Sequence, residues 1–467
     1  MLKKLFSHTF IYGFANQIPK IAGLFSLPFI TKYLTEQDYG IFGVITSYVA
    51  AIEIFATLGL RLILVNSFFK NPNSFTKIWS EIYGFLMLWN ILFIIVEVLF
   101  LWILIPKEVI NIPLVIFLNV GSSLFFGPTF GIGSTFYQIK QKPKSIAIRT
   151  ICFGTLTVFL NILFINHLRL GYLGWFYSIF IVSVLNNASY FYPLFFIYKI
   201  KPIFKFSIKQ IKSYLKITLP TIPHYYSTFL LNTSDKIVMK QLHVPINDIG
   251  KYNAAYTVGN FFNSIGMVSG FAITPLMNEC YKNNDEAGAR KLVFVLQIVF
   301  FMASFFVCIW LKEIFELLIK NKTLALTYPL GIIIVMSYNY RAMYYGAINK
   351  LFYLEKTNIL WKITFFAGIS NVALNFILIP IFGYKIATIT TFVSFMFMGY
   401  SGYFLKDFKQ SKSINYYPLA WMLATIILTI IAYFLRDSTI FNKVIISLFC
   451  IGSIAFIFWK FISNKKN

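Results

Sequence analysis

Five basic side chains stand inside stretches that are otherwise almost wholly apolar: Lys20, Arg61, Lys236, Arg341 and Lys362. Asp235 adjoins Lys236 in the run LLNTSDKIVMK, and Glu53 and Glu97 are further acids in apolar surroundings. An ionisable residue near a bilayer centre costs roughly 2.5 to 3.5 kcal/mol, so five lipid-facing cations would cost on the order of 12 to 18 kcal/mol. Such residues normally face a bundle interior or a watery cavity, where cations can hold an anionic headgroup and carboxylates can exchange protons or sodium.

The spacing of these residues gives each a candidate role. On a helix starting near Phe6, Lys20 lies about 20 Å along the axis, close to the midplane, with Asn16, Gly13 and Gly23 on its face. Lys20 reads as a headgroup contact, or alternatively as a structural partner of Glu53. Arg61 and Lys362 fall within a few turns of a membrane surface, where they can line a passage or snorkel to water. Thr221, His224, Thr228 and Asp235 recur at offsets of 3, 4 and 7, which on one continuous helix makes a single polar stripe. That stripe predicts a wet face at the outer part of a passage. Lys236, turned about 100° away, would reach another helix or the outer headgroups, and an interhelical salt bridge is the competing reading. In SYNYRAMYYGAINK, Tyr338, Arg341 and Tyr345 share a face. An arginine between aromatic rings suits a phosphate beside sugar rings, although a belt of interfacial tyrosines would leave the same pattern.

The elements that carry these residues are membrane helices. Of 467 residues 58% are hydrophobic and the mean hydropathy is +0.72, against roughly 45 to 50% apolar in an ordinary soluble domain. Apolar runs of about 20 residues recur throughout, and we count fourteen expected spans, giving an all-α polytopic membrane protein with both ends on one side. The opening MLKKLF is read as the start of an uncleaved first span. Of the 41 basic residues, 25 fall in segments on the side of the termini, 11 on the other side and 5 within spans. This asymmetry predicts cytoplasmic termini and explains the +25 charge through anionic headgroups, without nucleic acid. Cys152, Cys280, Cys308 and Cys450 show no metal or disulfide spacing.

The two halves repeat. EQDYGIF around Asp38 returns as INDIGKY around Asp248, Lys144-Ser145 as Lys356-Thr357, LNILFI as LNFILI, and Gly171-Tyr172 as Gly383-Tyr384, at offsets of 210 to 214. The unit is six spans, which predicts two parallel six-helix lobes, residues 1–204 and 205–406, with a site between them. Residues 407–467 would add a further helix pair. The stretches SLPFITKYLTEQDYGIFGVITSYVAAIEIFATLGL and DKIVMKQLHVPINDIGKYNAAYTVGNF, with the paired LN…GYLG and LN…GYKIA, resemble the polysaccharide transporter (O-antigen flippase) family. That family belongs to the multidrug/oligosaccharidyl-lipid/polysaccharide exporter (MOP) superfamily, and the resemblance runs over essentially the whole chain.

The resemblance implies a MATE-like fold in the inner membrane of a bacterium and a polyprenyl-diphosphate-linked oligosaccharide, such as an O-antigen or capsule repeat unit, carried from the cytoplasmic to the outer leaflet. It also implies pathway glycosyltransferases and a polymerase as partners, and an acidic-basic pair such as Asp235-Lys236 at this place. The residues add a cationic lining suited to a diphosphate. They contain no G-x-x-x-x-G-K-[ST] loop and no metal-ligand spacing, so no nucleotide or metal cofactor is expected, and the drive would come from an ion gradient (a coupling ion, H+ or Na+), the membrane potential or the substrate's own gradient. Two competitors stand: an ion-coupled multidrug exporter of the same fold, which would rely on acids such as Glu53 and Asp235, and a membrane glycan polymerase or ligase, disfavoured by the lack of a large outer loop.

Overall fold

The structure is a computed structural model that describes the backbone of residues 2–356, 360–410 and 414–463. The side chains of residues 2–14, Asn16, His224, Leu360, Ile451 and 453–463 lie outside that description. The chain forms two compact units, Met1–Gly250 and Lys251–Asn467, and all regular structure among the described residues is helical. The first unit contains α1 (Leu2–Ile30), α2 (Glu36–Glu53), α3 (Arg61–Lys70), α4 (Phe75–Leu104), α5 (Ile112–Phe126), α6 (Thr129–Ile139), α7 (Pro143–Asn161), α8 (Tyr172–Tyr192), α9 (Ile208–Thr218), α10 (Ile222–Asn232) and α11 (Ser234–Gln241). The next helix, α12 (Ile246–Lys282), runs across the division in sequence. The second unit contains α13 (Glu286–Ile309), α14 (Leu311–Leu318), α15 (Lys322–Ala325), α16 (Tyr328–Ser337), α17 (Tyr340–Tyr353), α18 (Leu360–Phe382), α19 (Ala387–Tyr400), α20 (Lys406–Gln410), α21 (Pro418–Leu435) and α22 (Ile440–Ser463).

The helices carry apolar residues on the outside as well as the inside. On α4, Leu88, Ile91, Leu92, Ile95, Leu99, Trp102 and Ile103 are exposed at helical spacing, while Phe93, Ile94, Glu97 and Leu101 are buried. An exposed apolar face of this length is lipid-facing surface, and the chain is a multi-pass helical membrane protein. Among the described residues, six helices are long and apolar enough to span a bilayer by themselves, and α5 with α6, bent by 58°, would make a seventh. Three of the fourteen expected spans are broken into shorter helices, α5/α6, α10/α11 and α16/α17, while others, such as α1, α2 and α12, are continuous helices outside this set of six.

The α5/α6 and α16/α17 breaks are held by polar side chains from other helices that bond to the backbone at the turn, as a low-dielectric surrounding favours. Between α5 and α6 the chain turns at Gly127, with φ +53°, a left-handed value that favours glycine. Asn90 of α4 donates to the Ser123 carbonyl at 2.9 Å, and Asn187 of α8 accepts from the Phe130 N–H at 2.9 Å. Between α16 and α17, Gln297 of α13 donates to the Asn339 carbonyl at 3.1 Å, and the Asn339 amide donates to Ser304 Oγ at 2.9 Å. All three side chains are buried. The expected seventh span breaks at Thr233, leaving α10 and α11 as separate helices.

The repeated D-x-G motif has a structural meaning in the first unit. Thr35 and Asp38 form a reciprocal cap on α2, and Asp38 Oδ1 also accepts from the Tyr172 N–H at 2.8 Å, tying the start of α2 to the start of α8. A Cβ on Gly40 would collide with the Ile246 carbonyl, and one on Gly250 with the Glu36 carbonyl. The two motif copies therefore cross backbone to backbone, which only glycine permits.

In the second unit α22 is clipped to α14 by an ion pair of 2.6 Å between Lys443, itself fully buried, and Glu313. The Trp310 indole N–H also donates to Ser447 Oγ at 2.8 Å.

Candidate functional site

Within the first unit a cavity of about 410 Å³ is lined mainly by residues at and beside three interruptions of the helices, with Leu86 of α4 completing it. The first is the turn joining α2 to α3, which contributes Glu53, Thr57, Gly59 and Arg61. The α5/α6 break supplies the second, with Pro128, Phe130, Ser134 and Thr135, and the start of α10 the third, with Ile222 and Tyr225. Irregular backbone at membrane depth is tolerated where it lines a cavity, and here the breaks converge on one. The turn is held in place by neighbours: Trp89 of α4 donates to the Phe55 carbonyl at 3.0 Å, and Thr218 donates to the Leu58 carbonyl at 2.8 Å.

The lining offers an acid, a guanidinium, hydroxyls and two half-open rings. Arg61 Nη2 donates to Gln138 Oε1 at 2.6 Å, and among the described residues no ion pair joins Arg61 to Glu53. The arginine is thereby oriented while keeping its charge, so its remaining N–H groups can meet an anion. Glu53 supplies acceptors, and Phe130 and Tyr225, exposed by 46% and 57%, present surfaces on which a sugar ring can stack. Glu97 of α4 is buried and close enough to Glu53 for their charges to interact.

The other sequence-predicted residues are placed as follows. Lys20 is exposed on α1, outside this lining, one residue past Pro19, whose ring occupies the space above Gly154 of α7. The expected polar stripe of Thr221, His224, Thr228 and Asp235 is corrected. A 3₁₀ turn ends at Thr221 and the helix breaks again at Thr233, so Asp235 starts a new helix and no longer follows the register of Thr228. The His224 side chain lies outside the described residues. Asp235 is 1% and Lys236 8% exposed, in an α11 packed on α2. Neither the wet outer face expected for Asp235 nor the reach of Lys236 to the headgroups is what the structure holds, because the first turn of α11 is an interior surface.

In the second unit, the single face expected for Tyr338, Arg341 and Tyr345 is also interrupted by the break at Asn339. Tyr338 is 1% exposed and packs its ring against Phe395 at 5.5 Å. Arg341 and Tyr345 do stay together: Arg341 donates to Asn263 of α12 and to Tyr345 Oη at 3.4 Å, and Tyr345 donates to the Gly266 carbonyl at 3.0 Å. The Arg341 Nε is buried with no partner. Lys362 is exposed in the first turn of α18. Sequence reasoning missed Gln138, Asn263, Phe130 and Tyr225. The first two are neutral amides with no pattern of their own, and the rings are indistinguishable by type from the many lipid-facing aromatics. No group of metal-ligating side chains occurs among the described residues.

The family model described as polysaccharide biosynthesis protein matches residues 5–280, more than half of the sequence, and the chain belongs to that family. A solved structure of the lipid II flippase MurJ, in an inward closed conformation, superposes with a TM-score of 0.68 at 14% identity, covering 93% of this chain and 99% of that one. An inward-facing multidrug resistance MATE family transporter of the MOP superfamily gives 0.61 at 13% identity, over 92% and 96%. A MATE structure in complex with MaL6 gives 0.57 at 10% identity, over 91% and 97%. The fold is therefore the one shared by these MOP-superfamily transporters. No match is found among curated proteins.

Proposed function

We propose that the protein is a flippase for a polyprenyl-diphosphate-linked oligosaccharide, moving it from the cytoplasmic to the outer leaflet of a bacterial inner membrane by alternating access. In this reading fourteen spans form two six-helix lobes and an added pair, with both termini cytoplasmic. The observation that carries it is the family match over residues 5–280, which favours the glycan side of a fold shared between lipid carriers and drug exporters. The cavity chemistry supports it: Arg61, fixed by Gln138, suits a diphosphate, and the Phe130 and Tyr225 rings suit sugars. Glu53 and Glu97 are the acids available to a coupling ion.

A second reading, an ion-coupled drug exporter, is favoured by the TM-score of 0.61 to a MATE transporter and by the same two acids. The two separate in a strain lacking the gene, complemented at matched membrane levels with wild type, Arg61→Ala or Glu53→Gln. The flippase reading expects surface glycan to be lost in the deletion with lipid-linked intermediate accumulating on the cytoplasmic side. Wild type should restore display and Arg61→Ala should reduce it by about tenfold, the loss of one charge-assisted contact. Unaltered glycan display in the deletion, together with greater sensitivity to cationic drugs, would establish the exporter reading instead.

A further inference from the structure

We propose that α9 is an interfacial helix that binds the headgroups of anionic phospholipids, a lipid contact separate from any transported substrate. The segment Tyr198–Thr221 carries six lysines and no acid. Its position at the end of a membrane span is fixed by the backbone: the Ile203 N–H donates to the Ser80 carbonyl, early in α4, at 2.8 Å. Ser207 then caps α9, its Oγ accepting from the Gln210 N–H at 3.4 Å.

The helix has two opposed faces. Ile211 and Thr218 are buried, Tyr214 and Leu215 pack on the cluster that contains Trp79 and Tyr137, and Thr218 is bonded to the α2–α3 turn. On the far side Lys209, Lys212 and Lys216 are exposed and, at three- and four-residue spacing, fall within an arc of about 60°. Ile208 and Ile217, exposed by 67% and 53%, flank that row on either side. None of the three lysines takes part in an ion pair among the described residues.

Like charges one turn apart repel, so a row without carboxylates needs counter-anions from elsewhere. A leaflet of anionic headgroups supplies them as a plane, level with the end of a span, while the flanking isoleucines enter the acyl boundary. A soluble acidic partner would match the charge but would leave Ile208 and Ile217 facing water.

The test uses the full-length protein with Cys152→Ser, Cys280→Ser and Ser213→Cys, an environment-sensitive fluorophore on the thiol introduced in α9, and nanodiscs of equimolar phosphatidylglycerol and phosphatidylcholine in which one lipid or the other is brominated near its headgroup. Quenching should be at least about twofold stronger from brominated phosphatidylglycerol, and the preference should vanish in K209Q/K212Q/K216Q and in molar salt. The three lysines are exposed, so the variant is expected to elute as a folded monodisperse protein, which size-exclusion chromatography checks. Equal quenching from both lipids, a preference that survives the triple substitution, or no quenching by either would each overturn the proposal. Since the readout is lipid contact and not transport, the result is independent of whether the protein is a flippase or an exporter.

Discussion

One carboxylate, Asp38, does two jobs: one oxygen completes the cap with Thr35 and the other holds the first turn of α8 through Tyr172. Loss of such a cap alone costs about 1 kcal/mol, and loss of the second bond leaves a backbone N–H at a helix start unsatisfied. Asp38→Ala is therefore expected to lower stability by about 2 kcal/mol, measured as a reduced thermal midpoint in detergent, with Asp38→Asn losing less. The motif was visible in the sequence because it occurs twice. Its reason was not, since nothing local announces that Gly40 must pass the Ile246 carbonyl and Gly250 that of Glu36. Charged residues behaved likewise: counting hydropathy located Arg61 and Asp235 within apolar runs, but only packing distinguished an arginine facing a cavity from an aspartate enclosed between helices.

Helices are where the sequence reading was most incomplete, and the failures share a cause. An apolar run of the right length reads as one straight span, whereas the breaks at Gly127 and Asn339 are held by partners far along the chain, Asn187 and Gln297. Gln297→Leu should remove the second donor to the Asn339 carbonyl, which as the N-cap of α17 keeps its bond within the helix, and so lower stability by only about 1 kcal/mol, whereas Gln297→Glu would add a buried charge there and cost more. The α21–α22 connection gives a pH-dependent counterpart outside the spans. Asp437 is held below its ordinary range by a hydrogen bond from Tyr328, aided by Arg436 and Lys312. A carboxyl whose folded value is depressed contributes stability above its unfolded value and loses it as pH falls through the folded one. The small difference in thermal midpoint between wild type and Asp437→Asn should thus be constant at neutral pH and close as the pH drops below about 4. A difference that grew on acidification would contradict the assignment.

At the scale of the whole molecule, composition alone was enough for a polytopic helical membrane protein, and the motif stretches, through the family they resemble, were enough for the superfamily, because both are distributed over hundreds of residues. The cavity was not legible as a cavity: its lining comes from four separate segments, and two of its rings have no signature in one dimension. What the molecule carries is decided most directly by reconstituting the purified protein in liposomes with a fluorescent polyprenyl-diphosphate oligosaccharide and measuring how much label an impermeant reductant can reach. A flippase makes essentially all of the label accessible, against roughly the outer half in protein-free vesicles, and Arg61→Ala slows that exchange about tenfold. If only the outer half is reached while the same vesicles exchange a cationic drug for protons or sodium, the protein is an exporter and the central claim fails.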